Sequence, residues 1–340
     1  MTRTATGRAA ATSQTTMRAV VQDSYGEAPE EVLRVDEVKR PRIGADEVLL
    51  RVRAAGVDRG TWHLMAGRPY LMRALGFGVR GPRAKIPGLD VAGIVDAVGT
   101  GVTEFAVGDE VFGTGKGTFA EYAVAKADRL ATKPPNLSFE QAAAVPVSAT
   151  TALQALRKGK VRSGERVLVV GASGGVGTYA VQIAKALGAE VTGVASTSKL
   201  DVVRSLGADH VLDYTVEDFT DGRRRYDVII DIGGNRRLSD LRRALTPRGR
   251  LVLTGGENGG KVLGGIERNL RAVLVSLFVS QKLGAFVARQ RRADLIELRE
   301  LIESGAVVPA VERTYPLNEA AAAVRQLADG LVRGKVVVTV

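Results

Sequence analysis

The chain is expected to fold as an α/β protein in two parts, a compact antiparallel β unit and a doubly wound parallel sheet. Three observations carry this expectation. Short β-prone runs separated by glycine-containing turns fill residues 17–133. From Ser138 onward, strand and helix patterns alternate. The strands of that second part are continuously apolar, as strands covered on both faces must be. A length of 340 residues suits about two domains. The composition, 45% hydrophobic and 25% charged, is that of a chain with a packed core.

In the first part the strand-like runs are Arg18–Gln22, Glu47–Arg53, Val91–Val98, Glu110–Phe112 and Glu121–Val124. Turns at Pro41–Gly44, Gly99–Gly101 and Gly113–Gly117 separate them, and Arg59–Gly67 is the one helical interruption expected there. Ser138-Phe139-Glu140-Gln141 then places Ser three residues before Gln, a capping-box signature at a helix start. A helix over Ala149–Arg157 follows. The alternating series runs strand Arg166–Val170, helix Gly175–Leu187, strand Glu190–Ala195, helix Lys199–Leu206 and strand Val211–Leu212. It continues with strand Tyr226–Ile230, helix Leu238–Leu245 and strand Arg250–Leu253. Helices over Asp294–Ser304 and Asn318–Gly330 and a closing strand Lys335–Val340 complete the reading.

The composition excludes some chemistry. Without cysteine there is no disulfide, thiolate metal site, thiol nucleophile or CxxC redox pair. His63 and His210 are the only imidazoles, one in each half of the chain. A zinc site needs several Cys, His or carboxylate ligands in tetrahedral array, so none is expected. The net charge of +11 comes from 48 basic and 37 acidic residues. Such a charge suits nucleic acid, an anionic surface, a phosphate-bearing cofactor or simply solvated basic faces. The basic clusters are scattered, as at Arg223-Arg224-Arg225, Arg236-Arg237, Arg242-Arg243 and Arg291-Arg292, and aromatics are only 5%. Solvated faces are therefore expected, not a nucleic-acid surface with stacking aromatics.

Residues 1–16 are rich in Thr and Ala and lack an apolar stretch, so they read as a disordered extension and not a secretory signal. Their Arg/Thr/Ser bias gives a faint likeness to an organellar transit peptide. Leu270–Ala288 is apolar but interrupted by Arg271, Gln281 and Lys282, so no membrane span is expected there. That stretch is expected to cover a cleft or to pack against a second subunit of a homodimer. A cytoplasmic location is expected.

The decisive segment runs Arg166-Val-Leu-Val-Val-Gly171-Ala-Ser173-Gly174-Gly175-Val176-Gly177. An apolar strand enters a glycine-rich turn and then a helix. Backbone N–H groups and the helix N-terminus can there cradle a pyrophosphate, as in the Rossmann dinucleotide site. An NAD site normally carries Asp or Glu at the end of the second strand. Here that position holds Ala195-Ser196-Thr197-Ser198-Lys199, with no acid until Asp201. Hydroxyls and a cation suit a 2′-phosphate, so NADPH is expected over NADH, with Ser196 and Lys199 as its ligands.

These residues resemble the medium-chain dehydrogenase/reductase superfamily, in its zinc-independent quinone oxidoreductase-like branch. The resemblance rests on Val48–Asp58, Ile86–Val98, Val107–Gly113, Thr118–Val124, Gly171–Gly177, Gly207–Tyr214, Asp227–Gly234 and Gly334–Val338. It implies a GroES-like substrate domain from residues 17–140 and 291–340, with a Rossmann domain over residues 141–290. Where zinc-dependent relatives carry a Cys and a Gly-His-Glu element, this chain has Asp58 and Gly88-Leu89-Asp90. The resemblance further implies Tyr214 beside the adenosine 2′-phosphate, Thr150 near the nicotinamide and Gly255-Gly256 lining the nicotinamide side.

Without a metal, the workable chemistry is hydride transfer to an acceptor that already delocalises the developing charge, a quinone or an α,β-unsaturated carbonyl. Donors to its oxygen are sought in Asp58–Tyr70, with His63 and Tyr70 as the catalytic candidates beside Asp58, and Thr61 also within reach. Asp58 can equally hold a loop or a ribose hydroxyl, and His210 is read as structural. Two alternatives stay open: an NAD(P)-dependent alcohol or aldehyde dehydrogenase, and a non-catalytic relative binding NADPH or RNA.

Overall fold

The computed structural model describes residues 15–234, 236–255, 260 and 262–340. The expected N-terminal extension lies outside the described residues except for Thr15 and Thr16, and Thr16 already opens the strand Thr16–Gln22. Among the described residues there are two large sheets and a two-stranded ribbon.

One sheet has six strands, all parallel, in the spatial order His210–Asp213, Glu190–Ala195, Arg166–Val170, Tyr226–Asp231, Leu245–Leu253, Lys282–Ala285. That is the doubly wound order, with the sequence reversing direction at Arg166–Val170, where the crevice for a dinucleotide opens. The strands are apolar throughout because each side of the sheet is covered. Val167, Val169, Val228, Ile230 and Val252 enter one core. Leu168, Val170, Ile229, Leu251 and Leu253 enter the other.

The second sheet has seven strands, antiparallel except where Val311–Pro316 runs parallel to Lys335–Thr339. Its long central strand Glu47–Val57 pairs with Asp90–Val98, Tyr122–Lys126 and the C-terminal Lys335–Thr339. The last strand of the chain thus completes a sheet begun near its start, and Val337 packs in the same core as Ala54 and Ala92.

Between the sheets lie the helices Phe139–Ala143 and Pro146–Lys158. The first begins on the expected capping box, with Ser138 Oγ accepting from Gln141 N at 3.2 Å and Gln141 Oε1 accepting from Ser138 N at 3.0 Å. Tyr179, on the helix Gly175–Ala186, donates its hydroxyl to Ala144 O at 3.1 Å and ties the parallel sheet to this connection.

Several elements differ from the sequence reading. Leu33–Lys39 is a strand, paired with Thr16–Gln22; its charged, mostly exposed residues hide the pattern because the ribbon buries little of it. Leu130–Thr132 and Val311–Pro316 are further strands whose short length or exposure leaves no apolar run. The helix expected over Leu238–Leu245 is Leu238–Arg243, and Leu245 starts the next strand, buried against the sheet. Leu270–Ala288 is not one segment. It divides into the end of the helix Ile266–Ser276 and the edge strand Lys282–Ala285, because Gln281 turns inward and donates to Arg242 O and Thr246 O.

Candidate functional site

At the sheet's switch point, Val170 leads into the turn 171–174, and the helix Gly175–Ala186 departs from Gly174. The first N–H groups of that helix have no intrahelical acceptor and face out of its N-terminus. Two glycines explain why the loop fits an anion. A Cβ on Gly177 would sit 2.1 Å from Gly171 O, so only glycine lets helix and strand approach this closely. A Cβ on Gly174 would meet nothing nearer than Gly171 O at 3.6 Å, which leaves its outer side open as a cradle. Ser173 is buried, and its carbonyl accepts from Gly334 N at 2.8 Å, fastening the loop to the C-terminal strand. Val176 is half-buried in the first helical turn.

Beside the switch point, the second and third parallel strands in chain order, Glu190–Ala195 and His210–Asp213, end at a shared corner. Ser196 follows Ala195, and a short 3-10 turn spans Thr197–Lys199. Lys199 donates to Gly330 O at 2.6 Å and Val332 O at 2.9 Å, which pins it against the turn before the last strand and leaves one ammonium hydrogen. Burial, with the nearby Arg333 guanidinium, holds its pKa below the usual lysine value. Tyr214 is exposed just beyond the third strand and donates its N–H to Ala195 O at 3.2 Å. The structure therefore brings Ser196, Lys199 and Tyr214 to one corner. It adds Arg333, which no pattern in the sequence marked, because only the fold carries the C-terminal turn there.

On the other side of the switch point, Thr150 is fully buried in the helix Pro146–Lys158, and its hydroxyl has no hydrogen-bond partner. Gly255 follows the strand Leu245–Leu253, where a Cβ would lie 2.0 Å from Ile232 O, so the backbones touch there. Gly256 lies outside the described residues. The facing wall is the segment 58–79. Asp58 caps the helix Arg59–Ala66, accepting from Thr61 N at 2.7 Å with Oδ1, while its buried Oδ2 has no partner. His63 stands on that helix, its ring edge-on to Trp62 with centroids 5.2 Å apart. Tyr70 is exposed, with the Arg73 guanidinium 4.8 Å from its ring centroid. Leu71 N donates to Val262 O at 3.2 Å, so this wall touches the loop that follows Gly255. Asp58, His63 and Tyr70 thus share one segment, whose Leu71 meets the parallel-sheet half through Val262; His210 sits elsewhere, on the exposed edge strand beside Glu190.

Beneath both halves is a buried ion pair that the sequence did not reveal. Lys335 Nζ, on a side chain 2% exposed, lies 3.1 Å from Asp90 Oδ2, on a side chain 0% exposed. The ammonium also donates to Ser148 Oγ at 3.2 Å, and Asp90 Oδ1 accepts from Val147 N at 2.8 Å. Burial pushes the Asp90 carboxyl up to about 7; Lys335 opposes the rise, and the Asp58 charge adds to it. The stem of Lys335 runs under the glycine-rich loop, where a Cβ on Gly175 would meet Lys335 Cδ at 3.1 Å.

Fold and crevice together define a two-part protein with a dinucleotide-type crevice at the switch point of its parallel sheet. Residues 44–135 match the profile of the alcohol dehydrogenase GroES-like domain, and residues 206–338 that of the zinc-binding dehydrogenase family. The quinone oxidoreductase of Sus scrofa is 34% identical over 327 residues, spanning 92% of this chain and 94% of that protein. The NADPH-dependent alkenal/one oxidoreductase of Arabidopsis thaliana is 32% identical, spanning 95% of this chain and 79% of that protein. The solved structure of the quinone oxidoreductase from Coxiella burnetii superposes with a TM-score of 0.84 at 27% identity, covering 96% of this chain and 99% of that one. The chain belongs to the medium-chain dehydrogenase/reductase superfamily, in its quinone oxidoreductase-like branch, and is an oxidoreductase using a nicotinamide cofactor.

The residues do not fit the zinc named in one of these profiles. At the positions of the metal-binding elements stand Asp58, Leu89 and Asp90. Asp90 is taken by Lys335 and Val147 N, and Asp58 uses one oxygen to cap a helix. No three His, Cys, Asp or Glu side chains converge on a metal position among the described residues. They do fit the cofactor, since the open side of Gly174 offers a cradle and the buried hydroxyl of Thr150 lacks a partner.

Proposed function

We propose that this protein is a zinc-free, NADPH-dependent reductase of quinones or α,β-unsaturated carbonyls. The observation that carries the reading is the turn after the second strand, where a hydroxyl and a cation stand in place of the acid that would hold the ribose of NAD. The activities for which the Sus scrofa and Arabidopsis thaliana relatives are named support the acceptor class.

On this reading the amides of Gly174, Gly175 and Val176, with Ser173, bind the pyrophosphate. Ser196, Lys199 and Tyr214 hold the 2′-phosphate. Thr150 meets the nicotinamide, which Gly255 flanks; when bound, the reduced nicotinamide supplies a hydride. The wall opposite orients the acceptor. His63 or Tyr70 donates a hydrogen bond to the oxygen on which charge develops. Asp58 keeps that wall in place through its helix cap, and its second oxygen is available to a ribose hydroxyl. Because the acceptor delocalises the incoming charge, orientation supplies most of the rate gain.

The test is steady-state oxidation of NADPH and NADH with a benzoquinone and a simple enone, each with and without EDTA. Turnover that favours NADPH and ignores EDTA supports the proposal. Loss of turnover in EDTA, or turnover only of an unactivated alcohol, refutes it, the latter in favour of an alcohol dehydrogenase. Salt-sensitive RNA binding without turnover selects the non-catalytic alternative.

We further infer a homodimer formed through the edge strand Lys282–Ala285 and the neighbouring Leu277 and Phe278, which are 73% and 85% exposed. A cytoplasmic location suits a chain without cysteines. No helix among the described residues is long and apolar enough to cross a membrane.

A further inference from the structure

Asp213 ends the third strand of the parallel sheet, in register with Ala195 at the end of the second. Its carboxylate therefore lies at the edge from which the adenosine corner is built, although in sequence it is fourteen residues past Lys199. Both oxygens are used locally. Oδ2 accepts from Thr197 Oγ1 at 2.5 Å. Oδ1 accepts from Thr215 N at 2.9 Å and Thr215 Oγ1 at 2.7 Å. The two threonine hydroxyls are 3.1 Å apart, so the three side chains close into a clip. Glu217 Oε1 accepts from Asp213 N at 3.1 Å and secures the base.

The clip joins two turns that carry unlike parts of the adenosine corner. Thr197 is the residue between Ser196 and the Ser198-Lys199 pair, while Thr215 follows Tyr214 directly. The Lys199 ammonium is held by the carbonyls of Gly330 and Val332, next to Arg333. An acid in this corner would ordinarily repel a phosphate. Here three hydrogen-bond donors occupy the carboxylate, while Tyr214 is exposed beside it and Lys199 keeps one ammonium hydrogen. The same donors hold the Asp213 carboxyl below the usual aspartate range, Thr197 first and then Thr215.

We infer that the Thr197–Asp213–Thr215 clip is a positioning device for cofactor choice, setting Ser196, Lys199 and Tyr214 at the spacing that a 2′-phosphate needs. The inference rests on the reading of that corner as a 2′-phosphate site. It separates the clip from the general stability of the domain by a simple expectation. NADPH spans the corner with its phosphate, whereas NADH presents only a ribose hydroxyl there, so loosening the clip weakens the first and spares the second.

The experiment measures KM and kcat for NADPH and NADH with one quinone acceptor in the wild type, Thr197→Val, Asp213→Ala and Asp213→Asn. Thr197→Val and Asp213→Ala are expected to raise the KM for NADPH about tenfold, leaving kcat and the KM for NADH within a factor of two. Asp213→Asn keeps an acceptor oxygen for a threonine hydroxyl and is expected to restore most of the NADPH affinity. A wild type without NADPH preference sinks the 2′-phosphate reading and the inference with it. A wild type that prefers NADPH, with that preference intact in Thr197→Val and Asp213→Ala, overturns the inference alone. An equal rise in KM for both cofactors also overturns it, by making the clip merely structural.

Discussion

Replacing Lys335 with Met would leave Asp90 buried without its counter-charge. At the observed separation of 3.1 Å, with an effective dielectric constant of about 20, the attraction is about 5 kcal/mol before desolvation is counted. Removing one partner of such a buried pair typically costs ~3–5 kcal/mol. The cost must depend on pH. Asp90 already titrates at about 7 in the folded protein against 3.8 as its reference, so its contribution to stability is present at low pH and falls as pH rises toward 7. Without Lys335 the folded pKa rises further. At pH 5.5 the lone carboxyl is neutral, and the loss is that of hydrogen bonds, ~1 kcal/mol. At pH 8.5 the loss approaches the full ~3–5 kcal/mol. Urea unfolding followed by the fluorescence of Trp62, the single tryptophan, measures both values. The double variant Asp90→Asn/Lys335→Met removes the buried charge and is expected to recover most of the loss at pH 8.5. A loss that is the same at both pH values, or a double variant no better than Lys335→Met, would refute this account of the pair.

Gly177→Ala places a methyl group 2.1 Å from Gly171 O, so the loop must shift; NADPH affinity by calorimetry is expected to fall at least tenfold, about 1.4 kcal/mol, and unchanged affinity contradicts the loop assignment. Ser138→Ala removes one half of the capping box and is expected to lower stability by ~1 kcal/mol in urea unfolding. Leu277→Glu with Phe278→Glu introduces charge into the exposed apolar face; light scattering is expected to show monomers in place of dimers, with folding preserved because neither side chain is buried. A wild type that is already monomeric removes the basis for that expectation.

The glycine-rich turn of the candidate site was legible because its geometry is local. The strand, glycine turn and helix around Gly171–Gly177 are consecutive in the chain, and the folded backbone gives Gly177 a steric reason in its approach to Gly171 O. The absence of an acid in Ser196–Lys199 was equally visible. Asp213 was not, since it reaches that corner through sheet register and not through sequence distance. Lys335 was hidden for a related reason. A lysine opening a valine-rich terminal strand looks like an exposed end, yet pairing with Glu47–Val57 and contact with Asp90 bury it.

The amino-acid order by itself determined the class of fold, the glycine-rich strand–turn–helix at Gly171–Gly177 and the lack of thiol chemistry. These depend on periodicity, short-range backbone geometry and residue inventory, which a linear reading contains. The tertiary structure alone decided what each charge meets: Asp90 with Lys335, Lys199 with the carbonyls of Gly330 and Val332, Asp213 with two threonines. Burial makes a charge depend on its partner, and the partners of these charges are supplied by strands and turns that only folding brings together.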